Sequence, residues 1–135
     1  MVNSGIVQEW LSKADADFQF ARVNFEERKP FYAQICFHFQ QTAEKYLKSY
    51  IIANELEFQK IHDLSLLVKI CLSKDPSFER IRDDCEFLNA FYIDTRYPVY
   101  WPTNFTESEA QKAFRAADHI RTLVLTKLGN NLNTQ

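Results

Sequence analysis

The stretch that decides the fold is Cys36-Phe37-His38-Phe39-Gln40-Gln41-Thr42-Ala43-Glu44-Lys45-Tyr46-Leu47-Lys48. At about 100° per residue, Cys36, Phe39, Ala43, Tyr46 and Leu47 fall on one arc, which Tyr50 and Ile51 continue. That is the stripe of a helix packed in a core. Gln40 lies inside the arc and Glu44 at its edge, where an amide or a carboxylate must find partners or cost free energy. His38, Gln41, Lys45 and Lys48 form a second, polar stripe on the opposite face. A helix needed only for packing would carry Leu or Ala at the inward polar positions, so at least one of the two polar sets is a candidate for function.

Outward from this segment, caps and periodicity predict five helical segments. The first runs from about Ser4 to Glu27, with Val7, Trp10, Leu11, Ala14, Phe18, Ala21 and Phe25 on one face. The second runs from about Pro30, placed in its first turn, to Asn54, and Glu55 to Ile61 is a connector. A shorter third helix starts near His62-Asp63 and carries Leu64, Leu67, Val68 and Cys71. Asp75-Pro76 is a start signal, N-cap followed by proline, for a fourth helix with Phe78, Ile81, Cys85, Leu88, Tyr92 and Thr95 inward, ending at Tyr97 before Pro98. After an aromatic loop from Val99 to Phe105, Thr106-Glu107-Ser108-Glu109 reads as a capping box. It opens a fifth helix that turns Ala110, Ala113, Ala117, Ile120, Val124 and Leu128 inward and ends at Gly129. The predicted fold is all-α, an antiparallel up-and-down bundle of four long helices plus one short helix, spanning residues 1–129 with a disordered tail at 130–135.

Composition narrows the function. The 135 residues suit one domain, and two glycines and four prolines leave little turn chemistry for a sheet or a phosphate-cradling loop. The net charge of -2 gives no broad basic footprint for nucleic acid, so RNA is not an expected ligand. The three cysteines have no CxxC spacing, and Cys36 and Cys85, on apolar helix faces, read as small hydrophobes; the three histidines have no metal-ligand spacing, so neither metal nor cofactor is expected. No secretory signal and no apolar run near ~18 residues occurs, which predicts a cytoplasmic protein without a membrane partner. Of twelve phenylalanines, Phe20 and Phe87 fall off the core faces and point to a dimer or partner surface.

Two more sets of residues carry chemistry. Arg96 follows the apolar line of the fourth helix, and its guanidinium needs an acceptor: the terminal carbonyls, a carboxylate such as Glu44, or a ligand phosphate. Asp17 lies at the edge of the first helix's apolar face, within reach of Lys45 or Lys48, and His62-Asp63 reads as a capping or buried hydrogen-bonded pair rather than a catalytic dyad.

Taken in order, Ala14, Asp17 and Ala21; Cys36-Phe37-His38, Gln40-Gln41, Ala43-Glu44-Lys45 and Leu47-Lys48; His62-Asp63-Leu64; and Thr95-Arg96-Tyr97-Pro98 resemble the HEPN family, named for higher eukaryotes and prokaryotes nucleotide-binding. The resemblance spans about Ile6 to Leu128. It implies a four-to-five-helix bundle that forms a homodimer and is encoded beside a minimal nucleotidyltransferase, which it helps to bind nucleotide or substrate. Other branches of the family are metal-independent ribonucleases, including toxins of toxin-antitoxin systems, that use an Arg followed after four to six residues by a His. Here Tyr97-Pro98-Val99-Tyr100-Trp101-Pro102-Thr103 follows Arg96 with no His. A transesterifying nuclease needs a group that titrates near working pH, so the nuclease reading ranks below binding. The expectation is a non-catalytic nucleotide-binding partner in which Arg96 contacts phosphate, Tyr97 and Trp101 offer rings, and Lys45 and Lys48 add charge. Asp17, His38, Gln40, Gln41, Glu44, His62 and Asp63 make the supporting polar network. The alternatives are a ribonuclease toxin and an interaction module without ligand.

Overall fold

The structure, a computed structural model, describes residues 4–94 and 105–129. They form helices α1 (Ser4–Glu26), α2 (Tyr32–Ala53) and α3 (Leu64–Lys74), a 3-10 segment (Pro76–Ile81), then α4 (Arg82–Asn89), α5 (Phe91–Asp94) and α6 (Glu107–Lys127). Every regular element among the described residues is helical, as the periodicity predicts. Ring and charge pairs fix the directions. Asp17 meets His38 and Lys45 while Trp10 lies near Lys48, so α1 and α2 are antiparallel. Asp84 meets His119 and Asp75 meets Lys127, so the chain entering α4 runs antiparallel to α6.

α2 is the central element. Its predicted arc is buried, from Cys36 and Phe39 to Tyr50 and Ile51, but so are Gln40, Thr42, Glu44, Lys48 and Ser49. α1 covers one flank, α6 a second, and α3 to α5 the rest. Phe114 of α6 sits at the crossing, its ring 5.9 Å from Phe18, 6.0 Å from Phe25 and 5.7 Å from Phe39.

The helix ends explain how so few glycines suffice. After α1, Arg28 takes φ 59°, Arg28 N–H donates to Phe25 O and Lys29 N–H to Asn24 O. After α2, Glu55 takes φ 55°, with Glu55 N–H to Ile52 O and Leu56 N–H to Ile51 O. Both are Schellman closures built on non-glycine residues in the left-handed region. The first displaces the predicted start of the second helix: the reversal at Arg28 takes up the chain to Phe31, leaving Pro30 outside α2 and Phe31 as an N-cap without a side-chain bond. Gly129 takes φ 85° after α6, in line with its predicted place at the helix end.

The fourth predicted helix is segmented. Asp75 accepts from the backbone N–H and hydroxyl of Ser77 at 2.9 and 2.7 Å, which opens a 3-10 turn rather than an α-helix. The chain breaks again at Ala90, where the preceding Asn89 accepts from Leu64 N–H at 2.8 Å and donates to Asp63 at 3.1 Å. The break shifts the inward register by one, so Phe91 is buried and Tyr92 only half-buried. Phe87, expected off the core, is half-buried against Phe91 with ring centroids 5.3 Å apart. Thr95, Tyr97 and the tail 130–135 lie outside the described residues.

Candidate functional site

Both polar sets of α2 are built into ion networks. In the first, Glu44 Oε2 lies 2.9 Å from Lys48 Nζ and 3.0 Å from His62 Nδ1. Its Oε1 accepts from Gln40 and Gln41 at 3.4 Å each, and Gln41 also donates to Gln40 at 2.8 Å. Glu44 and Lys48 side chains are only 5% and 6% exposed, which makes this a buried ion pair on the i,i+4 spacing of one helix. Lys48 Nζ also lies 5.8 Å from the Trp10 ring and 5.7 Å from Phe58, so a cation predicted on a polar face is enclosed by rings from α1 and the α2–α3 connector. The wheel places Lys48 away from the core arc, but α1 and the connector cover that side.

In the second network, Asp17 bridges His38 Nδ1, at 3.0 Å, and Lys45 Nζ. Burial pushes the Asp17 carboxyl up, but the hydrogen bonds from His38 and Lys45, with their charge, outweigh it and hold the group below its usual range. Asp63 is the N-cap of α3, accepting from Ser65 and Leu66 N–H.

The two networks share a design. Each sets a carboxylate between a lysine and a histidine, and each carboxylate holds its imidazole by Nδ1. This leaves Nε2 of both rings to other partners. The imidazoles belong to one ribbon of rings. Phe20 packs on His38 at 4.6 Å, His38 on Phe37 at 5.5 Å, Phe37 on Tyr92 at 6.3 Å, and Tyr92 on His62 at 4.5 Å with the planes only 13° apart. Phe20 is 50% exposed and the His62 side chain 51%. The ribbon therefore opens to solvent at both ends.

This geometry re-sorts the predicted site. Asp17, His38, Gln40, Gln41, Glu44 and His62 come together as supports of the ribbon, and Asp63 anchors the helix that follows it. Lys45 and Lys48 are tied to carboxylates and do not stand on the ribbon as open cations. Arg96, Tyr97 and Trp101 lie outside the described residues; in sequence, Arg96 comes two positions after α5, whose Tyr92 belongs to the ribbon. Sequence reasoning misses Phe20, Phe37 and Tyr92 as parts of one surface. The i,i+1 pair Phe37-His38 is visible, but its partners come from other helices. Among the described residues no three His, Cys, Asp or Glu side chains gather to hold a metal ion, and no helix is long and apolar enough to cross a membrane.

Comparison with known proteins agrees with this architecture. The chain is similar to the crystal structure of TT1696 from Thermus thermophilus, with 28% identity, 90% of this chain and 97% of that chain covered, and a TM-score of 0.75. It is also similar to ST0689, described as an archaeal HEPN homologue, with 27% identity, 90% and 96% coverage, and a TM-score of 0.71. No curated protein matches the chain. The family model of the HEPN domain matches residues 7–128, nearly the whole bundle, and the chain therefore belongs to the HEPN domain family.

Proposed function

We propose that this protein is a non-catalytic HEPN-domain partner of a minimal nucleotidyltransferase, acting as a homodimer that binds a nucleotide or nucleotide-bearing substrate. The observation that carries the reading is the ribbon Phe20–His38–Phe37–Tyr92–His62. Rings are general acceptors of a base face, and the two imidazoles are held in place by carboxylates at 3.0 Å each. In sequence, Arg96 follows α5 by two positions, and its guanidinium suits a phosphate. Lys45 and Lys48 act behind the ribbon, by fixing Asp17 and Glu44.

Calorimetric titration of nucleoside monophosphates and triphosphates tests it. The wild type binds at least one of them, and Arg96→Ala or Tyr92→Ala weakens that binding at least about tenfold with the fold kept. A wild type that binds none makes the interaction module the better account.

A second reading, the metal-independent ribonuclease, is favoured by one observation: two imidazoles held through Nδ1 share one surface, an arrangement suited to proton transfer. It predicts cleavage of single-stranded RNA without metal, lost in both His38→Ala and His62→Ala. The binding reading predicts no cleavage.

A further inference from the structure

A second site lies away from the ring ribbon, where α1, α2 and α6 meet. A cleft of about 320 Å³ is lined there by Leu11, Ser12, Asp15, Tyr46, Arg121 and Leu125, among others. That volume is at the lower end for small-molecule sites. Arg121 dominates its chemistry. The guanidinium carbon stands 4.8 Å from the centre of the Phe18 ring, so the group is braced by an aromatic face in the core. Arg121 has carboxylates on both sides, but Asp15 is 3.8 Å from one terminal nitrogen and Asp118 3.9 Å from the other. Both distances exceed hydrogen-bond reach. Its Nε–H is sealed from solvent and has no acceptor, the only buried side-chain N or O among the described residues left so. An arginine that merely decorated the surface would swing onto one of the two carboxylates; this one is held off both and left short of acceptors.

The other walls define what fits. Tyr46 is buried and lines the cleft beside Arg121. Leu11 and Leu125 give the cleft an apolar side, and Ser12 adds a hydroxyl. The charges that line the cleft, Arg121 and Asp15, sum to zero, and Asp118 stands beyond. A phosphate or dicarboxylate would bring excess negative charge against two aspartates. A ligand that carries one carboxylate and one ammonium, a carbon apart, matches the adjacent cation and anion.

We propose that this cleft binds a small amine–carboxylate zwitterion of the α-amino-acid type. Its carboxylate takes the outer edge of Arg121, its ammonium takes Asp15, and a short apolar body lies over Leu11 and Leu125. The site uses none of the ribbon residues, so it stands or falls separately from the nucleotide reading.

The test is a titration of the full chain, followed by calorimetry or amide chemical shifts, with four probes: L-leucine, isovalerate, isoamylamine and inorganic phosphate. Leucine is expected to bind saturably, and each single-charge analogue at least about tenfold more weakly. Asp15→Asn, a change on an exposed rim, and Arg121→Met should each weaken leucine at least about tenfold. Asp15→Asn should do so with an unchanged unfolding midpoint, which separates loss of the site from loss of the fold. The proposal is overturned if leucine does not bind, if isovalerate or phosphate binds as tightly, or if folded Asp15→Asn retains wild-type affinity.

Discussion

Replacing Glu44 by glutamine removes one charge from the middle of α2 and changes almost nothing in shape. The single amide oxygen of the new residue can still accept from His62 in place of Oε2, while its NH2 then faces the Gln40 and Gln41 amides in place of Oε1. What it cannot do is neutralise Lys48, whose side chain is only 6% exposed and whose ammonium lies 2.9 Å from the carboxylate oxygen. Removing one partner of a buried ion pair costs about 3–5 kcal/mol, because the other charge stays desolvated. The bond kept to His62 and the Trp10 and Phe58 rings around Lys48 put this case at the lower end, about 3 kcal/mol. For a chain of this length that corresponds to a fall of roughly 10 °C in Tm. Lys48→Met should cost less, about 1–2 kcal/mol, since Glu44 keeps His62 and two amides. The double variant removes both charges and should be no less stable than Glu44→Gln alone, a coupling of about 1–2 kcal/mol. Urea unfolding of the four proteins measures all three numbers. A Glu44→Gln protein within about 1 kcal/mol of wild type, or strictly additive losses, would refute the view that the two charges depend on each other.

Asp17 makes stability pH-dependent with a defined sign. Its folded pKa is lowered, so its contribution is present above the ordinary carboxylate range and is lost as pH falls through the folded value; the stability gap between wild type and Asp17→Asn should be constant near neutrality and close in acid, as urea midpoints across pH will show. All three cysteines are buried, and burial lifts the Cys36 and Cys71 thiols to about 12 and Cys85 higher still. A disulfide reagent at pH 8 should therefore react with none in the native protein and with three per chain in denaturant, and fast native labelling would contradict the burial. Light scattering should give twice the 16.0 kDa chain mass, and a wild-type monomer would refute the dimer.

The all-helical fold is legible because its signals are local. The stripe from Cys36 to Ile51, the Thr106–Glu109 box and Asp63 at the head of α3 are each settled by residues within one or two turns. The features that escape the sequence depend on residues far away along the chain. Asn89 breaks a helix to bind Leu64 and Asp63, and no period within 76–97 announces that. Arg28 and Glu55 close their helices in a conformation that sequence statistics assign to glycine, so periodicity alone starts α2 too early. The polar positions of α2 are visible as anomalies, but a helical wheel assumes one buried side, and α2 is covered on nearly all sides.

That covering changes what the polar residues of α2 are for. A lysine on an open face could reach a ligand phosphate directly, but here both lysines end on carboxylates that in turn hold imidazoles. Exchanging the buried ions for apolar residues of similar volume would cost little stability and could raise it, so stability alone gives no reason for Glu44 and Lys48. Their consequence in this fold is positional: Glu44 fixes the ring of His62, half-exposed at the end of a ten-residue connector, against Tyr92. Without the carboxylate, the imidazole would keep only its stacking on Tyr92. Glu44→Gln and Glu44→Leu should thus differ in a way that stability does not track. With Leu, Lys48→Met can restore the fold, yet His62 stays without its anchor and nucleotide affinity stays low. With Gln the amide oxygen still receives Nδ1–H, and affinity should largely survive the loss of stability.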